Sequence, residues 1–284
     1  MRILQVKHAG FCFGVKNALK IVLQASARGS VCTLGELIHN QRTIQDLADR
    51  GIFAVALPDQ IVTDQVVIRS HGAAPEIYDQ LREKGVQIVD ATCPFVSRIH
   101  EKARQLAHDG IAVFVIGQET HPEVMATMGW AGKDAVLIDS PEQIDRLGHY
   151  QKACVIGQTT YSMEKRDRLL SLLRAHVDEL EVFDFVCATT SLRQNEVRAL
   201  REKCDVVLVV GDAASANTRK LYEIASERTK ALLISGAEDL KNHALNPNCV
   251  CGITGGASAP PQALEEVTAY LQERYPCTIE TIVT

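Results

Sequence analysis

The chain reads as an α/β protein built from three related units, and three observations predict this. Short β-branched apolar runs alternate with amphipathic stretches of helical length along its 284 residues. Three cysteines, Cys12, Cys93 and Cys187, share one local setting, just before the start of a helix and, for the last two, after a strand. A polar residue then follows each at nearly the same distance: His39 lies 27 positions after Cys12, His121 28 after Cys93, and Ser215 28 after Cys187.

Taken in order, residues 1–12 lead into Cys12 as later strands lead into the other two cysteines, so they complete the last unit. The first unit, 13–93, carries predicted helices over 15–24, 41–50 and 76–84 and strands over 31–34, 66–69 and 86–89. The second, 94–187, carries helices over 97–108 and 165–176 and strands over 112–116, 135–138 and 153–156. The third, 188–284, carries helices over 193–203, 218–226 and 262–274 and strands over 206–210, 231–234 and 250–253. A second polar loop recurs in each unit, Ser70-His71-Gly72, Gln158-Thr159-Thr160 and Gly255-Gly256-Ala257-Ser258, each between a strand end and a helix start. Units of roughly 80–95 residues with this layout are repeats of one α/β module.

Composition excludes several classes. Apolar residues at 46% and charged residues at 23% are those of a globular chain, not a disordered one. No apolar run approaches the roughly 18 residues of a membrane helix, and Met1-Arg2-Ile3-Leu4-Gln5-Val6-Lys7 turns polar too soon for a secretory signal. A net charge of −5 without a basic block argues against nucleic acid as a partner. Nine cysteines without a signal peptide indicate a reduced, cytoplasmic chain. Cys32, Cys154, Cys249 and Cys251 fall in or beside strands and read as core, and Cys204 and Cys277 carry no motif.

Cysteines at the carboxyl ends of strands face the crevice where open α/β sheets bind ligands. Three converging thiolates suit a soft metal or an iron–sulfur cluster. With no fourth ligand evident, one metal stays open to substrate. His39, His71, His121, Thr159, Thr160, Ser215, Asn217 and Ser258 sit at or near helix starts, where free N–H groups and the helix dipole attract phosphate. Singly, each Ser, Thr or Asn is an ordinary N-cap and each His a structural residue; their recurrence at equivalent positions favours anion binding. Glu123 follows Pro122 in a first helical turn, itself ordinary helix initiation, yet it is also a protonatable carboxyl two residues from His121. Neither a Walker A loop nor Gly-x-Gly-x-x-Gly after a strand is present, so a nucleotide has little support.

Together these segments resemble the LytB family of 4-hydroxy-3-methylbut-2-enyl diphosphate reductases. The resemblance runs in order through Ala9-Gly10-Phe11-Cys12-Phe13-Gly14-Val15, Gly35-Glu36-Leu37-Ile38-His39-Asn40, Ile68-Arg69-Ser70-His71-Gly72 and Asp90-Ala91-Thr92-Cys93-Pro94-Phe95-Val96. It continues through His121-Pro122-Glu123-Val124, Gln158-Thr159-Thr160, Cys187 with Arg193-Gln194, Ser215-Ala216-Asn217-Thr218-Arg219 and Gly255-Gly256-Ala257-Ser258-Ala259-Pro260. It implies three α/β domains in a trefoil around one [4Fe-4S] cluster, held by Cys12, Cys93 and Cys187 with one iron not ligated by protein. It implies an oxidoreductase that removes the allylic hydroxyl of the diphosphate with two electrons and two protons, giving isopentenyl and dimethylallyl diphosphates in the last step of the methylerythritol phosphate isoprenoid pathway. By the same resemblance His39, His71, His121, Ser215, Asn217 and Ser258 hold the diphosphate, Glu123 relays a proton, Thr159 orients it, His121 assists both, and ferredoxin or flavodoxin donates electrons.

Two positions depart from the pattern. Many members carry a second Ser where this chain has Ala216, which offers only its backbone amide. After Cys187 the order Ala188-Thr189-Thr190 differs from the usual spacing, although Thr190 keeps the Thr position.

Two other readings fit an open metal beside an acid. An iron–sulfur hydro-lyase would act on a phosphorylated substrate without an external electron donor. A non-enzymatic metal or phosphate sensor would retain its response when Glu123 is replaced by Gln.

Overall fold

A computed structural model describes residues 1–282 of the chain. The apolar runs form three sheets in which every pairing is parallel. In order, the elements are β1 (Arg2–Val6), α1 (Phe13–Ser26), β2 (Val31–Leu34), α2 (Gln41–Ala48), β3 (Phe53–Val55), β4 (Gln65–Ile68), α3 (Pro75–Lys84), β5 (Gln87–Asp90) and α4 (Pro94–His108). There follow β6 (Ala112–Ile116), α5 (Pro122–Ala131), β7 (Val136–Ile138), the single turn α6 (Pro141–Ile144), β8 (Tyr150–Gly157), α7 (Met163–Leu173) and β9 (Val177–Val182). The chain continues through α8 (Ala188–Arg201), β10 (Val206–Val210), α9 (Ala216–Ser226), β11 (Lys230–Ile234), β12 (Val250–Gly255), α10 (Pro261–Arg274) and β13 (Thr278–Ile282).

The strand orders are β3-β2-β4-β5, β7-β6-β8-β9 and β11-β10-β12-β1-β13. Each is the same layout, the third having gained an outer strand. In each sheet the chain runs outward from one central strand to an edge, returns to the other central strand, and leaves on its far side. The switch points therefore lie between β2 and β4, β6 and β8, and β10 and β12, where ligands of open parallel sheets bind. The loops after these six strands are the six polar loops of the sequence. The strand next to the second central strand, β5, β9 or β1, leads to Cys93, Cys187 or Cys12.

By compactness the chain divides into two units. The first comprises Met1–Lys16, Ile38–Asp46 and Ala188–Thr284, the second Asn17–Leu37 and Leu47–Cys187. The second unit holds two sheets, with cores built on Phe114, Ile116, Val155 and Ile156 in one and on Cys32, Val66, Ile68 and Leu81 in the other. In the first unit one face of the sheet packs Ile3, Leu208, Val210 and Ile253, and the other packs Leu4, Val207, Val209 and Leu221. Each fully buried side chain of this kind contributes about 1.5–3 kcal/mol. Cys154, Cys249 and Cys251 lie in these cores, as Cys32 does in its own, each in or beside a strand as the sequence predicts.

Some boundaries differ from the sequence reading. Residues Phe13, Pro94 and Ala188 begin their helices directly after Cys12, Cys93 and Cys187, a few residues earlier than the amphipathic period suggests, because a first turn need not present an apolar face. The strands β3, β9 and β13 were not predicted. All three are sheet edges: β9 and β13 place charged or polar residues toward solvent, and β3 is a run of only three residues.

Candidate active site

Within the second unit the central element is a buried acid. His121 is the N-cap of α5 in extended conformation, and its Nδ1 accepts the Glu123 backbone N–H at 3.2 Å. That bond places the proton of a neutral His121 on Nε2. Pro122 at the first helical position fixes the turn that carries Glu123 inward. The Glu123 side chain is only 2% exposed. Its Oε1 accepts the Thr159 backbone N–H at 2.5 Å and its Oε2 accepts the Thr159 hydroxyl at 2.9 Å. Burial pushes the carboxyl up to about 7, against the two Thr159 hydrogen bonds, which favour the ionised form.

Thr159 is held in turn by the mouth of β8. Its carbonyl accepts the Cys187 backbone N–H at 3.2 Å, joining the acid loop to a cysteine loop. The Gln158 side chain accepts the Gln118 N–H and donates to the Thr160 hydroxyl. Close approach of β6 and β8 here depends on Gly157, where a Cβ would lie 2.3 Å from the Ile116 carbonyl oxygen. His71 meets His121 edge-on, with ring centroids 5.4 Å apart. The Cys93 N–H donates to Ser70 O at 3.0 Å, tying that cysteine to the His71 loop. Gly72, at φ +74, leaves no room for a side chain against His100.

The first unit gathers hydroxyl and amide groups. Ser215 caps α9, its Oγ accepting the Thr218 N–H at 3.4 Å. Asn217 and Ser258 are 4% and 5% exposed, and Asn217 Nδ2 and Ser258 Oγ have no partner. Buried donors without acceptors are costly, and a helix N-terminus beside them invites an anion. The Cys12 loop packs on the Ser258 loop: Cys12 N–H donates to Ala257 O at 3.0 Å, and the Val15 N–H reaches Cys12 Sγ at 3.5 Å. His39, partly buried, precedes Asn40, whose side chain caps α2 through Thr43. The Gln41 N–H reaches Asp212 Oδ2 at 3.3 Å, linking this segment to the loop that carries Ser215.

The structure thus joins Glu123 to Thr159 and His71 to His121 in one unit, and Cys12 to the Ser258 loop in the other. Among the described residues no disulfide forms; Cys12, Cys93, Cys187 and Cys277 are partly exposed and the other five cysteines buried. Burial pushes the Cys154 thiol up to about 11 and Cys204 up to about 12, so these are inert core groups. Among the described residues no three ligating side chains stand close enough to hold a single metal ion, and no helix is long and apolar enough to cross a membrane. Glu196 escaped the sequence reading, and Arg193 entered it only within a family segment: α8 buries both toward the Cys12 and Ser258 loops. Their signal was four buried polar residues, Thr190, Arg193, Gln194 and Glu196, on one helix, which only packing exposes.

Proteins similar to this chain in sequence and fold agree with one another. The 4-hydroxy-3-methylbut-2-enyl diphosphate reductase of Caldanaerobacter subterraneus subsp. tengcongensis is 36% identical over 274 residues, covering 94% of this chain and 95% of its own. That of Aquifex aeolicus is 36% identical over 278 residues, covering 95% and 96%. A solved structure of (E)-4-hydroxy-3-methyl-but-2-enyl diphosphate reductase, described as the terminal enzyme of the non-mevalonate pathway, is 33% identical and covers 96% of this chain and 100% of its own, with a TM-score of 0.68. The Plasmodium falciparum reductase structure, at 23% identity, shares the fold with a TM-score of 0.92, covering 100% of this chain and 92% of its own. These reductases do not favour the hydro-lyase or sensor readings. With the LytB protein family model matching residues 3–272, the chain belongs to the LytB family.

Proposed function

We propose that this chain reduces 4-hydroxy-3-methylbut-2-enyl diphosphate, releasing its allylic hydroxyl as water with two electrons and two protons and leaving isopentenyl and dimethylallyl diphosphates. The observation that carries the reading is the threefold layout, in which each sheet supplies one cysteine and two polar loops from equivalent strands. The domain boundaries we propose follow it, at 13–93, 94–187 and 188–284 with 1–12. The reading requires that Cys12, Cys93 and Cys187 face one centre.

The thiols suit an iron–sulfur cluster by their surroundings. All three are partly exposed and directly precede a helix, and the Val15 N–H already reaches Cys12 Sγ at 3.5 Å. A polynuclear cluster also spreads its ligands more widely than a single ion does. When bound there, a [4Fe-4S] cluster with one iron free of protein ligands supplies electrons singly and a Lewis-acid centre for the hydroxyl oxygen.

The remaining work belongs to the side chains. Ser215, Asn217 and Ser258 bind the diphosphate, its oxygens meeting the partnerless Asn217 amide and Ser258 hydroxyl. His39, His71 and His121 complete that grip. The Glu123 carboxyl, near 7, is protonated often enough at neutral pH to give its proton to the departing hydroxyl. Thr159 keeps that carboxyl in one orientation, and its hydroxyl, able to turn, accepts from Glu123 once the acid is protonated. Anchoring the short allyl chain by its diphosphate makes the reaction one of fixed geometry. A ferredoxin or flavodoxin is the electron donor we infer, and the cytoplasm the site of action.

The test is anaerobic purification, iron and sulfide analysis, and turnover of the hydroxylated diphosphate with a low-potential reductant. About four irons per chain with reductant-dependent turnover supports the proposal. An iron-loaded chain that never consumes the substrate ends it.

A further inference from the structure

Arg193 lies on α8, which starts immediately after Cys187, and its side chain is only 3% exposed. Its Nη1 donates to Gly255 O at 2.7 Å and its Nη2 to Gly10 O at 2.5 Å. Gly255 ends β12 three residues before Ser258, and Gly10 precedes Cys12 by two. One planar guanidinium thus spans the main chains of a metal-ligand loop and an anion loop. Its fork geometry fixes both acceptors at once, which a Lys ammonium cannot do.

Three further contacts show how tightly these loops meet. The Cys12 N–H donates to Ala257 O. A Cβ on Gly255 would lie 3.3 Å from the Gly10 nitrogen, and Gly10 itself sits at φ +82 against Leu264 and Ala259. One helical turn beyond Arg193, the buried Glu196 bonds His8 Nδ1 at 2.8 Å and ties down the segment entering the Cys12 loop.

We propose that Arg193 is a positioning residue that locks the Cys12 loop and the Ser258 loop in one register, so that the ligating thiol and the diphosphate-binding hydroxyl move as a single piece. The proposal rests on the reductase reading for the roles of the two loops, but the locking itself does not need a cluster. Without the guanidinium, two buried carbonyls lose their donors, and the Cys12 loop opens independently of Ser258.

The experiment uses the full chain with Arg193→Gln and, as the milder change, Arg193→Lys. In the reduced, metal-free protein, iodoacetamide labelling of each cysteine is followed by mass spectrometry. Arg193→Gln is expected to label Cys12 about tenfold faster, the change that roughly 1.4 kcal/mol of lost tethering produces, while Cys93 and Cys187 keep their wild-type rates. Arg193→Lys is expected to fall between. In the iron-loaded chain the expected signature is a raised KM for the hydroxylated diphosphate together with a changed electron paramagnetic resonance spectrum on substrate addition. Cys12 labelling at the wild-type rate in either variant overturns the proposal, as does a rise shared by all three cysteines, which marks general loosening. Failure of the reductase reading is seen separately, as absent turnover in the wild-type chain.

Discussion

Thr159 holds both oxygens of the Glu123 carboxylate, one through its backbone N–H and one through its hydroxyl, across 36 positions of sequence. One residue therefore orients the acid and restrains the rise that burial imposes on its pKa. Its carboxyl settles near neutrality because desolvation outweighs these two bonds.

Replacing Glu123 by Gln keeps the shape and removes the proton. Turnover should fall by about 10²–10⁴-fold with little change in KM. Steady-state assays with a chemical reductant check this; a variant within a few-fold of wild type would remove Glu123 from proton delivery.

The same variant should be the more stable protein in alkali. A carboxyl raised from 4.5 to about 7 on folding gives stability that is complete below about 4.5 and is lost as pH rises through about 7. Above that, wild type carries a cost of about 3 kcal/mol that Gln escapes. Denaturant unfolding of both proteins at about pH 5 and pH 8 should show the gap opening toward higher pH; a constant gap would mean that Glu123 is already ionised in the fold.

Thr159→Val removes the hydroxyl and leaves the backbone donor. Because that hydroxyl favours the ionised acid, its loss raises the Glu123 carboxyl further. The alkaline fall of kcat should move to higher pH, with a stability loss of about 1 kcal/mol. A fall that moves to lower pH would reverse the assigned effect of the bond.

Ser258→Ala removes a buried hydroxyl that has no partner. The ligand-free chain should be as stable as wild type or about 1 kcal/mol more so, while KM for the diphosphate rises about tenfold. Thermal melts and kinetics together make the test, and lowered stability with unchanged KM would point to a packing role.

Cluster content should separate the cysteines. Serine at Cys12, Cys93 or Cys187 should abolish stable iron binding, whereas Cys154→Ala should retain iron and lose about 1–2 kcal/mol of stability as a small core deletion. Iron and sulfide analysis of the four variants decides it.

The central strands were legible because Val206–Val210 and Ala112–Ile116 are buried on both faces and so read as unbroken apolar runs. The edges were not. Val177–Val182 and Thr278–Ile282 place charged or polar residues toward solvent, and pairing rather than composition makes them strands. Helix α5 was visible only at its Pro122 start, since Val124, Met125, Ala126 and Met128 put apolar groups on every side. The cysteines and polar loops could be read because they punctuate the pattern. The Glu123–Thr159 bonds and the Arg193 bridge could not, since parallel pairing of distant strands creates them.

The N-terminal strand β1 lies between β12 and β13, pairing Leu4 with Gly252 on one side and with Glu280 on the other. It is therefore made long before either neighbour and can pair only once both have been synthesised. Cys12, made before every other proposed ligand, has no finished scaffold until some 250 residues later. The proposed metal centre therefore cannot be completed before β12 and β13 are made, and a nascent chain stalled before β12 would leave the Cys12 loop without the strands that frame it.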